Sequence, residues 1–177
     1  MTCREAPRIE TERLVLRPWC KDDFRPYHAI LCQPEVYRHF GPQAASAEDC
    51  WRRLMAAVGG WQLNGFGTWG VERKSDCKLI GNIGLFTAWR DLEPEFGDQP
   101  EMGWIMATET HGQGLAYEGC RAALDWAEAN LEATPIWAII APANEPSLRL
   151  AERLGFERIH ETTYHDELTW VLRRPAW

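Results

Sequence analysis

Apolar and polar residues recur along this chain with two different periods, and the changes of period mark its elements. From Leu115 to Leu131 the period is helical: Leu115, Cys120, Ala123, Leu124, Ala127 and Leu131 fall on one side, Glu118, Arg121, Asp125 and Glu128 on the other. Glu101 to Ala107 reads as a strand, with bulky Met102, Trp104, Ile105 and Met106. Ile9 to Pro18 reads as another, with Leu14 and Leu16 on one face and Val15 on the opposite one. Asp22 to Cys32 fits a short helix. Ser46 and Asp49 resemble a capping box with Asp in place of Glu, opening a helix whose Trp51, Leu54, Met55, Val58 and Trp61 keep helical spacing.

Phe66 to Glu72 and Lys78 to Ala88 form an antiparallel pair about the turn Lys74-Ser75-Asp76. Asp91 to Pro100, broken by Pro94, Gly97 and Pro100, is an irregular excursion. Ile136 to Ala141 is apolar on both faces, which places it centrally. Phe156 to Thr162 and Thr169 to Leu172 close the chain as a hairpin around Tyr164-His165-Asp166-Glu167. No linker or repeat interrupts this order. The expectation is an α/β domain, a mixed sheet with helices on both faces, spanning 1–177 with its core in 9–172.

The junction between the strand at 101–107 and the long helix carries the first chemical signal: His111-Gly112-Gln113-Gly114-Leu115-Ala116. A small-residue loop opening a helix leaves main-chain N–H groups unpaired at the positive end of the helix dipole, a setting for a phosphate or diphosphate. Glycine also lets the backbone approach the anion closely. No Gly-Lys-Ser/Thr ending is present, which disfavours a nucleotide triphosphatase, and the third glycine of a dinucleotide fingerprint is replaced by Tyr117. The same six residues also fit a strand-to-helix turn that holds no ligand.

Composition narrows the classes. A net charge of −7, with no run of more than two Lys or Arg, argues against a nucleic-acid partner. An acidic surface suits a cationic acceptor, although it also serves solubility. No apolar run reaches the length of a membrane span, and Thr2-Cys3-Arg4-Glu5 lacks the apolar core of a signal peptide. The six cysteines (3, 20, 32, 50, 77 and 120) have no metal-ligand spacing. They read as reduced cytoplasmic thiols, mostly buried, and no metal is expected. Ten tryptophans are an unusual load for 177 residues. Trp51, Trp61, Trp126 and Trp137 fit buried positions, while Trp69, Trp89 and Trp104 lie on or beside strands.

Four further segments carry a resemblance. Thr11-Glu12-Arg13-Leu14-Val15-Leu16-Arg17-Pro18, Leu79-Ile80-Gly81-Asn82-Ile83-Gly84-Leu85, Glu101-Met102-Gly103-Trp104 and Asn144-Glu145-Pro146-Ser147 through Leu154-Gly155-Phe156 follow one another in order. Together with the glycine loop they resemble the GNAT superfamily of N-acetyltransferases, in its RimJ/RimL-like branch, over about residues 9–172. The resemblance implies a GNAT fold: a mostly antiparallel sheet of six to seven strands, splayed between strands 4 and 5, with about four helices. It also implies an acetyl-CoA-dependent transfer of an acetyl group to a primary amine, either a protein N-terminus or a small molecule, by direct attack in a ternary complex. A non-catalytic acyl-CoA-binding module is the alternative. No membrane partner is implied, and the chain acts as a monomer or a homodimer.

Acyl transfer to an amine needs a base, since the amine is protonated near neutral pH, and donors for the oxyanion. Glu101, at the start of the fourth strand beside the splay, is the candidate base. Backbone N–H groups near Ile105 and Met106 would receive the thioester oxygen. His111, Gly112, Gln113, Gly114, Leu115 and Ala116 would hold the cofactor diphosphate. Asn144 is an N-cap for the helix that follows, accepting from the Ser147 N–H, with Pro146 in the first turn; by resemblance Asn144 and Ser147 also line the cofactor channel. Many relatives carry a tyrosine several residues further on, but this chain has Leu150 and Ala151, so Ser147 becomes the candidate proton donor, with Tyr117 and Tyr164 in reserve. Arg153 either meets the adenosine phosphates or is a solvated charge. Acceptor selection falls to the first two helices and the 90–100 loop.

Overall fold

The computed structural model describes residues 5–41 and 43–177. Its strand-like runs pair into one eight-stranded sheet. In spatial order these are β1 (Ile9–Glu10), β2 (Leu14–Arg17), β3 (Thr68–Arg73), β4 (Lys78–Phe86), β5 (Glu101–Met106), β6 (Ile136–Ile140), β8 (Glu167–Arg174) and β7 (Glu157–Tyr164). Five α-helices lie among the described residues: α1 (Phe24–Leu31), α2 (Pro34–Tyr37), α3 (Ala47–Asn64), α4 (Leu115–Asn130) and α5 (Glu145–Arg153).

Two counts differ from expectation. Eight strands replace six to seven, because the run at 9–18 turns back on itself: Thr11 closes a tight turn, its N–H donating to Leu14 O at 3.0 Å, and β1 pairs antiparallel with β2. Five α-helices replace about four, because Pro34, whose missing N–H costs nothing at a helix start, opens the extra turn α2. The helix expected from Asp22 begins instead as a 3-10 turn at Lys21–Asp23 that leads into α1. The remaining elements fall where the hydrophobic pattern puts them, the hairpin of β7 and β8 included.

All neighbouring strands are antiparallel except β5 and β6. Those two run parallel and share the single register pair Glu101↔Trp137, against six pairs between β5 and β4. Beyond Glu101, therefore, the C-terminal ends of β5 and β6 are unzipped. The splay is present, and it leaves backbone groups of β5 without a strand to bond to.

Alternate residues of β5 feed opposite faces. Met102 and Met106 join the larger core, built with Ala123, Leu124 and Ala127 of α4 and Ala151 of α5. Ile105 and Ala107 join a smaller one with Tyr27, Ile30 and Leu31 of α1, Val36 of α2 and Cys50 of α3. A third cluster packs Leu92 and Phe96 of the 87–100 excursion on Trp137 and Val171.

Tryptophan burial follows these clusters rather than helical spacing alone. Trp61, Trp69 and Trp126 meet edge-on with ring centroids 4.7 to 5.3 Å apart. Trp51, expected inside, is 40% exposed, as are Met55 and Val58 in part, because α3 buries only the side carrying Cys50, Leu54 and Trp61. Trp89 is also exposed. The five described cysteines are all free thiols; Cys50 and Cys120 are buried, but Cys20 and Cys77 are exposed, so the expectation of mostly buried thiols fails, while Cys3 lies outside the described residues. No helix among the described residues is long and apolar enough to cross a membrane.

Candidate active site

Beyond the C-terminal end of β5, a 3-10 turn at Thr108–Thr110 delivers the chain to Gly112 and Gly114, whose φ angles of 73° and 76° lie in the left-handed region. Glycine adopts that region without a Cβ penalty, which is why the chain can turn here and start α4 at once. Gly114 is the N-cap of α4, and no side chain caps the helix. Among the described residues, the N–H groups of 112–116 have no hydrogen-bond acceptor. His111 to Gly114 are solvent-exposed and Leu115 is buried, and the loop lies at the positive end of a sixteen-residue helix. This is the arrangement expected of an anion cradle.

His111 closes the strand end. Its Nε2 lies 3.0 Å from Met106 O, which can only accept, so Nε2 is the donor in this contact. Arg153, at the end of α5, stacks with Cζ 4.2 Å from the centre of the Tyr117 ring, in the first turn of α4. The fold thus brings Arg153 close behind the loop.

The cleft side of β5 follows from the ladder. Ala107 N–H donates to Ile80 O, and the β4–β5 register is unbroken. Alternation then turns the Ile105 N–H toward β4 and the N–H groups of Trp104 and Met106 toward the cleft. Met106 therefore stays a candidate oxyanion donor. Ile105 does not, since its N–H belongs to the ladder; Trp104 takes its place.

Ser147 stands across the cleft from β5. The Asn144 side chain accepts from the Ser147 N–H at 3.3 Å, as expected of an N-cap, and the Trp104 indole N–H donates to Ser147 Oγ at 3.1 Å. A hydroxyl that accepts from an indole keeps its own proton to donate elsewhere. Asn144, Ser147 and the β5 edge are thereby brought together.

Glu101 lies five residues before Met106, about 17 Å away along an extended strand. It is 3% exposed, and both of its oxygens are held by Arg90: Nε to Oε2 at 2.5 Å and Nη2 to Oε1 at 2.7 Å. Arg90 Nη1 donates to the Tyr164 hydroxyl at 3.1 Å. Burial pushes the Glu101 carboxyl above its usual range, against the pull of the guanidinium. Leu92 and Phe96 anchor the loop that carries Arg90, and Trp137 Nε1 donates to Gln99 at 2.6 Å. The sequence carries no sign of the role of Arg90 beyond an arginine two residues before Leu92 in a proline-broken loop. Tyr164, placed in reserve as a donor, lies instead beside the Arg90–Glu101 pair.

Residues 13–157 match the family model described as an acetyltransferase (GNAT) domain. The chain belongs to the GNAT acetyltransferase family. It is 27% identical over 153 residues to the uncharacterized N-acetyltransferase YoaA of Bacillus subtilis, covering 86% of this chain and 84% of that protein. A putative GNAT-family acetyltransferase from Bordetella pertussis superposes with a TM-score of 0.85 at 30% identity, over 96% of this chain and 99% of that one. The aminoglycoside acetyltransferase AAC(6')-Ib, solved with acetyl-CoA, shares the fold with a TM-score of 0.74 at 17% identity, covering 93% and 94%. The fold here, an eight-stranded mixed sheet with five α-helices, is the GNAT fold.

Proposed function

We propose that this GNAT domain transfers an acetyl group from acetyl-CoA to a primary amine by direct attack in a ternary complex. The observation that carries the reading is the set of unpaired N–H groups at 112–116, on a loop whose two glycines leave no side chain between backbone and anion. His111, Gly112, Gln113, Gly114, Leu115 and Ala116 hold the diphosphate, and Arg153 lies within reach of a further phosphate. When bound, acetyl-CoA supplies the activated acetyl thioester. The open edge of β5 accepts the pantetheine arm, Asn144 and Ser147 line its far side, and the N–H groups of Met106 and Trp104 stabilise the developing oxyanion.

Glu101 takes the proton from the incoming ammonium, directly or through a water, and its raised pKa makes it a stronger acceptor than a solvent-facing glutamate. Ser147 offers its proton to the departing thiolate. The acceptor is a protein N-terminal amine, as for the RimJ/RimL-like branch the motifs resemble, or a small amine; a net charge of −7 favours a cation in either case. Each part of this site comes from one chain, so a monomer and a homodimer serve equally. The unpaired thiols fit a reducing cytoplasm.

One observation favours a second reading. The bidentate hold of Arg90 on Glu101 occupies the proposed base, which suits a module that binds acyl-CoA without turning it over. A thiol-release screen with acetyl-CoA against peptides, polyamines, amino acids and aminoglycosides separates the two. Acceptor-dependent release supports the transferase; binding of acetyl-CoA with no release across the panel supports the module.

A further inference from the structure

The motif Thr11-Glu12-Arg13 has no place in the chemistry above, yet its side chains converge on the anion loop. Thr11 and Arg13 lie in the turn between β1 and β2, and across 107 and 105 residues of sequence they capture Glu118 in the first turn of α4. Thr11 Oγ1 donates to Glu118 Oε1 at 2.6 Å, the Arg13 N–H donates to the same oxygen at 2.8 Å, and Arg13 Nε donates to Oε2 at 2.7 Å. Both carboxylate oxygens are thus satisfied away from the loop. Burial alone would raise the Glu118 carboxyl, but these donors outweigh it and hold it below its usual range. Without them a carboxylate in that turn would repel an incoming phosphate and compete for the same N–H groups.

The guanidinium then reaches the loop itself: Arg13 Nη1 donates to Gln113 O at 2.9 Å. That carbonyl and the Gly114 N–H belong to one trans peptide plane and point in opposite directions. Fixing the carbonyl on Arg13 therefore aims the Gly114 N–H away from Arg13. Gly114 has no Cβ and a left-handed φ of 76°, so little else limits rotation of this plane. From the other side, Gln33 Oε1 accepts from the Thr108 N–H at 2.8 Å and steadies the loop's entry.

We infer that Arg13, clamped by Glu118, which Thr11 holds in turn, is a positioning residue that sets the Gln113–Gly114 peptide for binding the diphosphate of the acyl donor. This rests on the acetyl-CoA reading above. It locates part of the donor's recognition in an edge hairpin rather than in the loop.

The test compares acetyl-CoA with S-acetyl-pantetheine, which carries the thioester but no diphosphate, in the wild type, Arg13→Met and Glu118→Gln. In the wild type kcat/KM is higher for acetyl-CoA than for the truncated donor. Arg13→Met raises KM for acetyl-CoA about tenfold, equivalent to about 1.4 kcal/mol, with kcat and the acetyl-pantetheine reaction little changed. Glu118→Gln shifts the same ratio in the same direction by less. Equal losses on both donors in the two variants, or no loss on either, overturn the role of Arg13. A wild type that does not distinguish the donors overturns the diphosphate site itself, and the positioning role with it. Thermal melting shows whether each variant is folded; should Arg13→Met fail to fold, Glu118→Gln alone decides between a donor-selective and a donor-independent effect.

Discussion

The two ends of β5 are built on opposite plans. At the C-terminal end, the loop at 111–114 is exposed, and the N–H groups of 112–116 make no backbone hydrogen bond among the described residues. At the N-terminal end, Glu101 is buried and both its oxygens are spent on Arg90. A cradle of free N–H groups is ready for an anion as it stands, because nothing has to be displaced. A carboxylate held by two charge-assisted hydrogen bonds is positioned but restrained. On the proposed function, binding of the donor and activation of the acceptor are separable, and substitutions at one end are expected to leave the other untouched.

The largest effect belongs to Glu101. Glu101→Gln lowers kcat by about 10²- to 10⁴-fold, the range of a lost general base, with affinity for coenzyme A unchanged; steady-state kinetics beside calorimetry read both quantities. Arg90→Met comes next. It leaves a buried carboxylate unpaired and costs about 3 kcal/mol of stability, seen as a melting temperature lower by roughly 10 °C for a chain of this size. It also sharpens the pH dependence. Glu101 must be ionised to accept a proton, so kcat/KM falls as pH drops through its pKa, and burial places that limb above the ordinary 4.5. Loss of Arg90 moves the limb higher still; a limb at or below the ordinary value in both proteins would remove Glu101 from the role of base.

At the opposite end, Gly114→Ala forces a Cβ into a left-handed φ of 76° at about 1–2 kcal/mol. It weakens binding of coenzyme A about tenfold and leaves kcat at saturation near that of the wild type. The smallest effect is that of Ser147→Ala, at most about tenfold in kcat, because water can protonate the thiolate that the hydroxyl serves. A loss as large as that of Glu101→Gln would make Ser147 indispensable and would shift the weight of catalysis across the cleft.

The two ends also differ in how far they can be read without coordinates. The loop is local: glycine spacing, a preceding strand and a following helix lie within a dozen residues, and φ, exposure and N-cap all agree with it. Asn144 as N-cap to Ser147 is local in the same way. The Glu101 cluster joins Arg90 and Tyr164, which lie 74 residues apart, through a loop whose course depends on Leu92 and Phe96 finding Trp137. No period records such a meeting. Arg13 and Glu118, 105 residues apart in the chain, are equally silent.

Strand pairing explains the smaller misses. The ladder that turns the Ile105 N–H to β4 depends on register, which composition does not set. The helical spacing of Trp51, Met55 and Val58 is genuine, but α3 is only half covered, so the same stripe runs from core to solvent.

The most direct measurement is a calorimetric titration of coenzyme A into the wild type, Gly114→Ala and Glu101→Gln. One-to-one binding in the wild type, weakened about tenfold by Gly114→Ala and unaltered by Glu101→Gln, is the expected result. Absence of binding, or binding indifferent to the loop substitution, would contradict an anion cradle at 112–116.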